Sequence, residues 1–258
     1  MSKRPQLLIV GSRGKLGTAL CRQLSTNRDI VGLDFGETPA ESVDEHGFLH
    51  LLCDLRSENS VHEVLRGYVG EFQGLIYLPR IRNRHRFPDI KAGDLNSEIS
   101  LTVGGLISIL RILVAGDPLD SKRLESIVVL SSALSSRVSA LEGLGYHVSK
   151  AALEQLVRVL AFDLSPLGIR INAVKPTWVD RSEEDEEGRS AKVTSALELI
   201  HNGSYVPRHE DVGTVIDFLL GSESRALSGT TVEVDSGVQN LESLYVALRA
   251  CNQEWNHA

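Results

Sequence analysis

Apolar residues along this chain fall into short unbroken runs, separated by stretches in which they recur every three or four positions. The runs Leu7–Val10, Ile30–Asp34, Phe48–Cys53, Gly74–Leu78, Ser126–Leu130, Ile169–Val174 and Thr231–Val234 predict strands. Most are continuous in Val, Ile and Leu without polar alternation, as in a parallel sheet covered on both faces. Helical spacing predicts helices over Leu16–Leu24, Ser60–Val69, Asp94–Ala115, Tyr146–Leu164 and Asp211–Leu220. Strand and helix alternate, so parallel neighbours are joined by crossovers, right-handed by default. The expected fold is α/β: a doubly wound Rossmann-type parallel sheet of about seven strands with helices on both faces, in a single domain over residues 1–258.

Two stretches break the alternation. Residues 177–205 contain Glu183-Glu184-Asp185-Glu186-Glu187-Gly188, too charged for a core, and read as a mobile insertion or lid. Residues 238–258 read as a C-terminal helical tail, with Leu241, Leu244, Tyr245 and Leu248 forming an apolar stripe that covers either the core or a partner subunit. A homo-oligomer is expected.

Composition narrows the function classes. With 258 residues, 42% of them hydrophobic and 24% charged, the chain has an ordinary globular make-up. Its net charge of -7 argues against a nucleic-acid or anionic-membrane partner. Cys21, Cys53 and Cys251 are odd in number and scattered, so neither a disulfide framework nor a structural zinc site is expected, and a reducing cytoplasm suits them. After the basic start Met1-Ser2-Lys3-Arg4-Pro5, the run Leu7–Val10 is too short for a signal sequence or membrane span.

Candidate chemistry begins at the first strand-to-helix junction, Gly11-Ser12-Arg13-Gly14-Lys15-Leu16-Gly17. Glycines there permit a tight turn and let backbone amides approach a pyrophosphate, whose charge the helix N-terminus favours. The spacing is Gly-x-x-Gly-x-x-Gly rather than the common Gly-x-Gly-x-x-Gly. Asp34 closes the second strand about 20 residues on, the interval at which an acid meets the adenosine ribose hydroxyls. It favours NAD over NADP, although Arg13 and Arg28 offer charges for a 2′-phosphate. Asp54 either bonds the adenine amino group or makes an Asx turn before the next helix. Further on, Tyr146 and Lys150 fall one helical turn apart on one face, downstream of Ser131 and Ser132. A phenol near pKa ~10 exchanges protons at neutral pH only if a cation stabilises its anion, and Lys150 is placed to do so. A tunable phenol beside a hydroxyl is what a carbonyl/alcohol redox site needs, with a cofactor to carry the hydride.

Taken in order, these residues and two later segments, Ile169-Arg170-Ile171-Asn172-Ala173-Val174-Lys175-Pro176 and Leu227 to Gly237, resemble the short-chain dehydrogenase/reductase family over nearly the whole chain. The resemblance implies Tyr146 as acid/base, Lys150 as the cation that lowers the tyrosine pKa and holds the nicotinamide ribose, and Ser132, rather than Ser131, as the substrate-orienting hydroxyl. With it, the cofactor-binding set becomes Gly11, Arg13, Gly14, Leu16, Gly17, Asp34, Asp54, Leu55, Tyr146 and Lys150, and the cofactor NAD. The chain also departs from the family. Tyr77-Leu78-Pro79-Arg80 stands where the family has Asn-Asn-Ala-Gly, and the family's relay asparagine aligns with Ser100, or with Asn96 under another register. Pro176-Thr177 replaces Pro-Gly, and the threonine expected beyond it is replaced around Arg181.

Arg80-Ile81-Arg82-Asn83-Arg84-His85-Arg86 follows the fourth predicted strand, near the mouth of such a site. Its arginines suit a carboxylate or phosphate, which points to a small anionic substrate; the alternative is a solvated loop or one paired with the Glu183–Glu187 run. His85 and His147 read as solvent-facing or hydrogen-bonded in place. The residues thus describe an NAD(H)-dependent enzyme interconverting a secondary alcohol and a ketone. The alternatives are a dinucleotide-binding homologue with weak or no turnover and a nucleotide-sugar epimerase or dehydratase.

Overall fold

In the computed structural model the aliphatic runs become β1 (Gln6–Val10), β2 (Asp29–Phe35), β4 (Leu49–Cys53), β5 (Gly74–Tyr77), β6 (Ser126–Leu130), β7 (Arg170–Pro176) and β8 (Thr231–Val234). An eighth strand, β3 (Ala40–Val43), was not foreseen. Its Ala-Glu-Ser-Val sequence is mostly exposed, so no apolar run announces it; a backbone ladder to β4 holds it as the antiparallel edge. The sheet runs β3-β4-β2-β1-β5-β6-β7-β8, parallel elsewhere. Residues 4–36, 40–69, 71–81, 83–115, 124–179, 196–197, 199–201, 205–241 and 246–247 are described. Most of the 177–205 insertion, including its acidic run and Arg181, lies outside them, as do Leu244, Tyr245, Leu248 and Cys251.

Helices α1 (Lys15–Leu24), α2 (Glu58–Leu65), α3 (Ala92–Ile99), α4 (Gly105–Leu113), α5 (Leu144–Leu164) and α6 (His209–Leu220) cover both faces. Alternate residues of one strand enter opposite cores. Leu8 and Val10 pack with Leu106 and Ile109 of α4 and Leu153 of α5, whereas Leu7 and Ile9 pack with Leu20 of α1 and Ile216 of α6. Burial on both faces is why the strands read as continuous apolar runs.

One long helix was expected over Asp94–Ala115; a wide π-type turn, Ser100–Gly104, divides it into α3 and α4. The Tyr77 hydroxyl donates to the Leu101 carbonyl inside this turn, and a Cβ at Gly105 would meet that hydroxyl, so Tyr77 and Gly105 shape the bend together. By length and hydropathy Ala92–Leu113 would suffice to cross a bilayer, but Leu106, Ile109, Leu110 and Leu113 join the core instead.

Candidate functional site

The chain winds in opposite directions from β1 to its two neighbours, β2 and β5, which leaves a crevice at the C-terminal ends of these strands, where open α/β sheets bind ligands. A cavity of about 690 Å³ lies there, lined by Gly11, Gly14, Leu16, Gly17, Asp34, Asp54 and Leu55 of the predicted set, with Arg80 and Val179. Gly11 has φ +83°, a conformation that favours glycine, and a Cβ at Gly17 would overlap the Gly11 carbonyl oxygen. The turn is thus a backbone cradle that disfavours side chains, at Gly11 by conformation and at Gly17 by lack of room. Arg13 contributes through its backbone, its amide donating to Asp34 Oδ2 at 2.7 Å.

A hydrogen-bonded chain foreseen by no sequence motif pins this turn from below. Ser12 Oγ lies 2.8 Å from His50 Nδ1, and His50 Nε2 lies 2.9 Å from Asp44 Oδ2. It crosses β2 at Gly32, where any Cβ would collide with both Ser12 and His50. The edge strand leads into Asp44, whose carboxyl is held below the ordinary carboxylate range by bonds from His50, Phe48 and His46, against the opposing effect of burial. At the far end of the cavity Asp54 pairs bidentately with Arg56, at 2.9 and 2.8 Å, and accepts the Arg56 amide at 3.0 Å in an Asx turn, while Ser57 caps α2. Of the two readings of Asp54, the Asx turn is present, and Asp54 also faces the cavity.

The second group of predicted residues converges beyond Arg80. Tyr146 and Lys150 stand one turn apart on α5, 6% and 2% exposed, and Ser132 at the end of β6 is 8% exposed. The Ser132 hydroxyl faces the Tyr146 phenol and favours its anion. Lys150 Nζ donates to the Leu130 carbonyl at 2.7 Å and lies 5.8 Å from the Tyr146 ring centroid. Ser131 is committed elsewhere, donating to Glu154 Oε1 at 2.6 Å. Burial pushes the Tyr146 phenol above its ordinary value, opposed by Ser132 and by the Arg80 charge. Burial, helped by Arg80 and opposed by Glu98, pulls Lys150 down to about 7.

Arg80 joins the two regions: its guanidinium carbon sits 4.7 Å from the Tyr146 ring centroid, and its Nη2 pairs with Glu142 Oε1 at 2.9 Å. The other arginines separate from it. Arg86 donates to the carbonyls of Ser139 and Glu142, clamping two loops together; Arg84 is exposed, and Arg82 lies outside the described residues. His147 is hydrogen-bonded in place between the Gly143 carbonyl and the Ser139 amide, and His85 pairs with Asp94. Neither Ser100 nor Asn96 enters the site, since both are exposed. Ser97 and Leu101 of this stretch line the cavity, and Glu98, 1% exposed, is buried against Gly145. Its position three after Leu95 and four before Thr102, on the inward stripe of the helix, was the available signal.

Comparison with known proteins agrees with this fold. A family model described as enoyl-(acyl carrier protein) reductase matches residues 24–239. L-xylulose reductase of Bos taurus is 25% identical over 238 residues, spanning 89% of this chain and 94% of that protein. Protein FixR of Bradyrhizobium diazoefficiens is 35% identical over 112 residues, a local match that spans 43% of this chain and 38% of FixR. The crystal structure of a short chain dehydrogenase from Leptospira borgpetersenii with bound NAD+ superposes with a TM-score of 0.77 at 20% identity, covering 92% of this chain and 93% of that one.

Proposed function

The chain belongs to the short-chain dehydrogenase/reductase family, and from that premise we propose that it is an NAD(H)-dependent oxidoreductase interconverting a secondary alcohol and a ketone through Ser132, Tyr146 and Lys150. The observation that carries the proposal is the convergence of these three buried side chains behind a glycine-built cavity. The cradle at Gly11, Gly14 and Gly17 fits a dinucleotide pyrophosphate, and Asp34 fits the adenosine ribose. When bound, the nicotinamide supplies or accepts the hydride. Ser132 donates a hydrogen bond that orients the substrate oxygen. Tyr146 gives its proton to that oxygen in reduction and takes one back in oxidation, and the Lys150 ammonium stabilises the phenolate between these events. Each of these groups is held by the scaffold before substrate arrives, which lowers the cost of ordering them.

NADH should bind more tightly than NADPH, because Asp34 accepts from ribose hydroxyls and repels a 2′-phosphate. Fluorescence titration of both cofactors decides the matter: equal or tighter NADPH binding would remove Asp34 from this role, and Asp34→Ala should narrow the difference. Both Asp34 oxygens already accept backbone amides, from Arg13 and Phe35, so the carboxylate is held in place.

The substrate is small and anionic in this reading, with Arg80 rather than the whole arginine cluster as its grip, since Arg80 alone among the described arginines of that loop lies over Tyr146. A ketone carrying a carboxylate would displace Glu142 from the guanidinium. Arg80→Ala should therefore raise KM for carboxylate-bearing ketones at least about tenfold, the effect of losing about 1.4 kcal/mol of binding, and leave neutral ketones nearly unaffected. Equal effects on both series would end the assignment. Arg80 also favours a second reading, a dinucleotide-binding homologue without turnover, because it covers the phenol; NADH binding with no ketone reduced is its signature. A cytoplasmic setting fits Cys21 and Cys53, free thiols that burial pushes up to about 12. Exposed Val159 and Phe162 on α5 offer an apolar face for a second copy of the chain.

A further inference from the structure

Among the side chains that the chemistry of Ser132, Tyr146 and Lys150 leaves unused, Ser12, His50 and Asp44 form a continuous hydrogen-bonded row from the glycine turn to the edge of the sheet. Ser12 and His50 are buried, 1% and 2% exposed. Gly32 of β2 pairs with Ile9 of β1 on one side and with His50 of β4 on the other, and the Ser12–His50 bond passes over it. A Cβ at Gly32 would lie 2.3 Å from His50 Nδ1 and 2.4 Å from Ser12 Oγ, so the row occupies the space that a side chain there would need.

The polarity of the row follows from its ends. Asp44 Oδ1 accepts the His46 and Phe48 amides at 2.9 and 3.0 Å, and Oδ2 faces His50 Nε2 at 2.9 Å. A carboxylate only accepts, so Nε2 of His50 carries the proton. In the neutral imidazole Nδ1 is then bare, and the Ser12 hydroxyl 2.8 Å away donates to it. At the cavity end, the next amide after Ser12, that of Arg13, donates to Asp34 Oδ2 at 2.7 Å. A single peptide bond therefore links the buried row to the acid assigned to the adenosine ribose.

We propose that His50 is a positioning residue of the dinucleotide turn: Asp44 fixes its tautomer, its bare Nδ1 anchors the Ser12 hydroxyl, and the anchored Ser12 holds the Arg13 amide against Asp34. The carboxylate that follows the edge strand thereby acts across β4 and β2 on the turn after β1. The effect on NADH rests on the cofactor reading above, but the anchoring of Arg13 does not.

Two measurements, neither of which needs a substrate, test it. In ¹⁵N spectra of the histidine rings at neutral pH, with the His50 signals identified by their loss in His50→Gln, the wild type should show Nε2 protonated and Nδ1 bare. Asp44→Asn keeps an oxygen for the His46 and Phe48 amides but turns an NH₂ group toward Nε2, so the His50 proton should move to Nδ1. A wild type with Nδ1 protonated, or an unchanged tautomer in Asp44→Asn, would overturn the proposal.

The second measurement is binding. His50→Gln can still donate to Asp44 but offers Ser12 no acceptor at the Nδ1 position, and Ser12→Ala removes the other half of that bond. Each should weaken NADH binding about three- to tenfold, the worth of one hydrogen bond, and the double variant should bind no more weakly than the worse single. His50→Asn, whose carbonyl falls near the Nδ1 position, should recover most of the affinity although it fills the space less well than glutamine. Additive losses, or equal losses in the Asn and Gln variants, would assign the effect to ring packing and overturn the proposal. If the wild type binds no NADH, or His50→Gln does not fold, hydrogen exchange of the Arg13 amide in Ser12→Ala decides. It should quicken by a similar factor, and an unchanged rate would overturn the positioning role whether or not the cofactor reading stands.

Discussion

Tyr146→Phe should fold and bind NADH as the wild type does while losing about 10²–10⁴-fold in turnover, the range typical of removing a positioned acid/base. The substitution deletes one oxygen and keeps a ring that is buried and packed under the Arg80 guanidinium. It leaves no partner stranded. Ser132 Oγ still accepts from the Leu134 amide at 3.2 Å, and Lys150 still donates to the Leu130 carbonyl. A loss of turnover in this variant therefore reports chemistry rather than collapse, provided that thermal unfolding and NADH titration are measured on the same preparation. Full activity of Tyr146→Phe on a confirmed substrate would remove the phenol from its role. NADH binding without turnover in either protein would favour the non-catalytic reading.

The sheet was legible in the sequence because its central strands bury both faces, so that Leu7–Val10 or Ile171–Val174 admit few polar residues. β3 was not, because an exposed edge strand is held by backbone bonds and selects no apolar pattern. The break at Ser100–Gly104 depends on Tyr77, more than twenty residues away, reaching Leu101, and helical periodicity carries no trace of such a contact.

The candidate site divides in the same way. Gly11, Gly17, Asp34, Tyr146 and Lys150 could be named because backbone room and one-turn spacing are local properties. The preference for Ser132 over Ser131 came from resemblance alone; the structure adds a physical reason, since Ser131 is bound to Glu154. The arginine-rich loop looked like one feature because its residues are adjacent in sequence, yet Arg80 and Arg86 serve different contacts. Ser12 follows β1 while Asp44 and His50 belong to the β3–β4 hairpin, and the pairing of β2 with both β1 and β4 brings them together. Glu98 was passed over because a glutamate in a helix normally faces water; the aligned position, Ser100, lies two residues on.

Lys150→Ala should do more damage than Tyr146→Phe, because one ammonium serves several neighbours. Removing it leaves the Leu130 carbonyl without this donor and withdraws the cation nearest the phenol on α5. Leaving a buried carbonyl without its donor costs about 1–3 kcal/mol, so the unfolding temperature should fall along with turnover and NADH affinity. The pH profile separates the electrostatic effect from the structural one. In the wild type the ammonium is present below about 7 and is lost as pH rises through that value, so NADH-dependent reduction should decline across this window. The variant has no such group to lose. Its residual activity should instead follow Tyr146, whose phenol burial already raises and which loses a stabilising cation, so the optimum for alcohol oxidation should move to more alkaline pH. Lys150→Arg is the control that keeps a charge but presents it through a planar group too large for the site, and it should recover stability more than turnover. A Lys150→Ala enzyme that retained the wild-type pH profile would show that the ammonium does not tune the phenol, and the acid/base chemistry would then have to rest on Ser132 and Tyr146 alone.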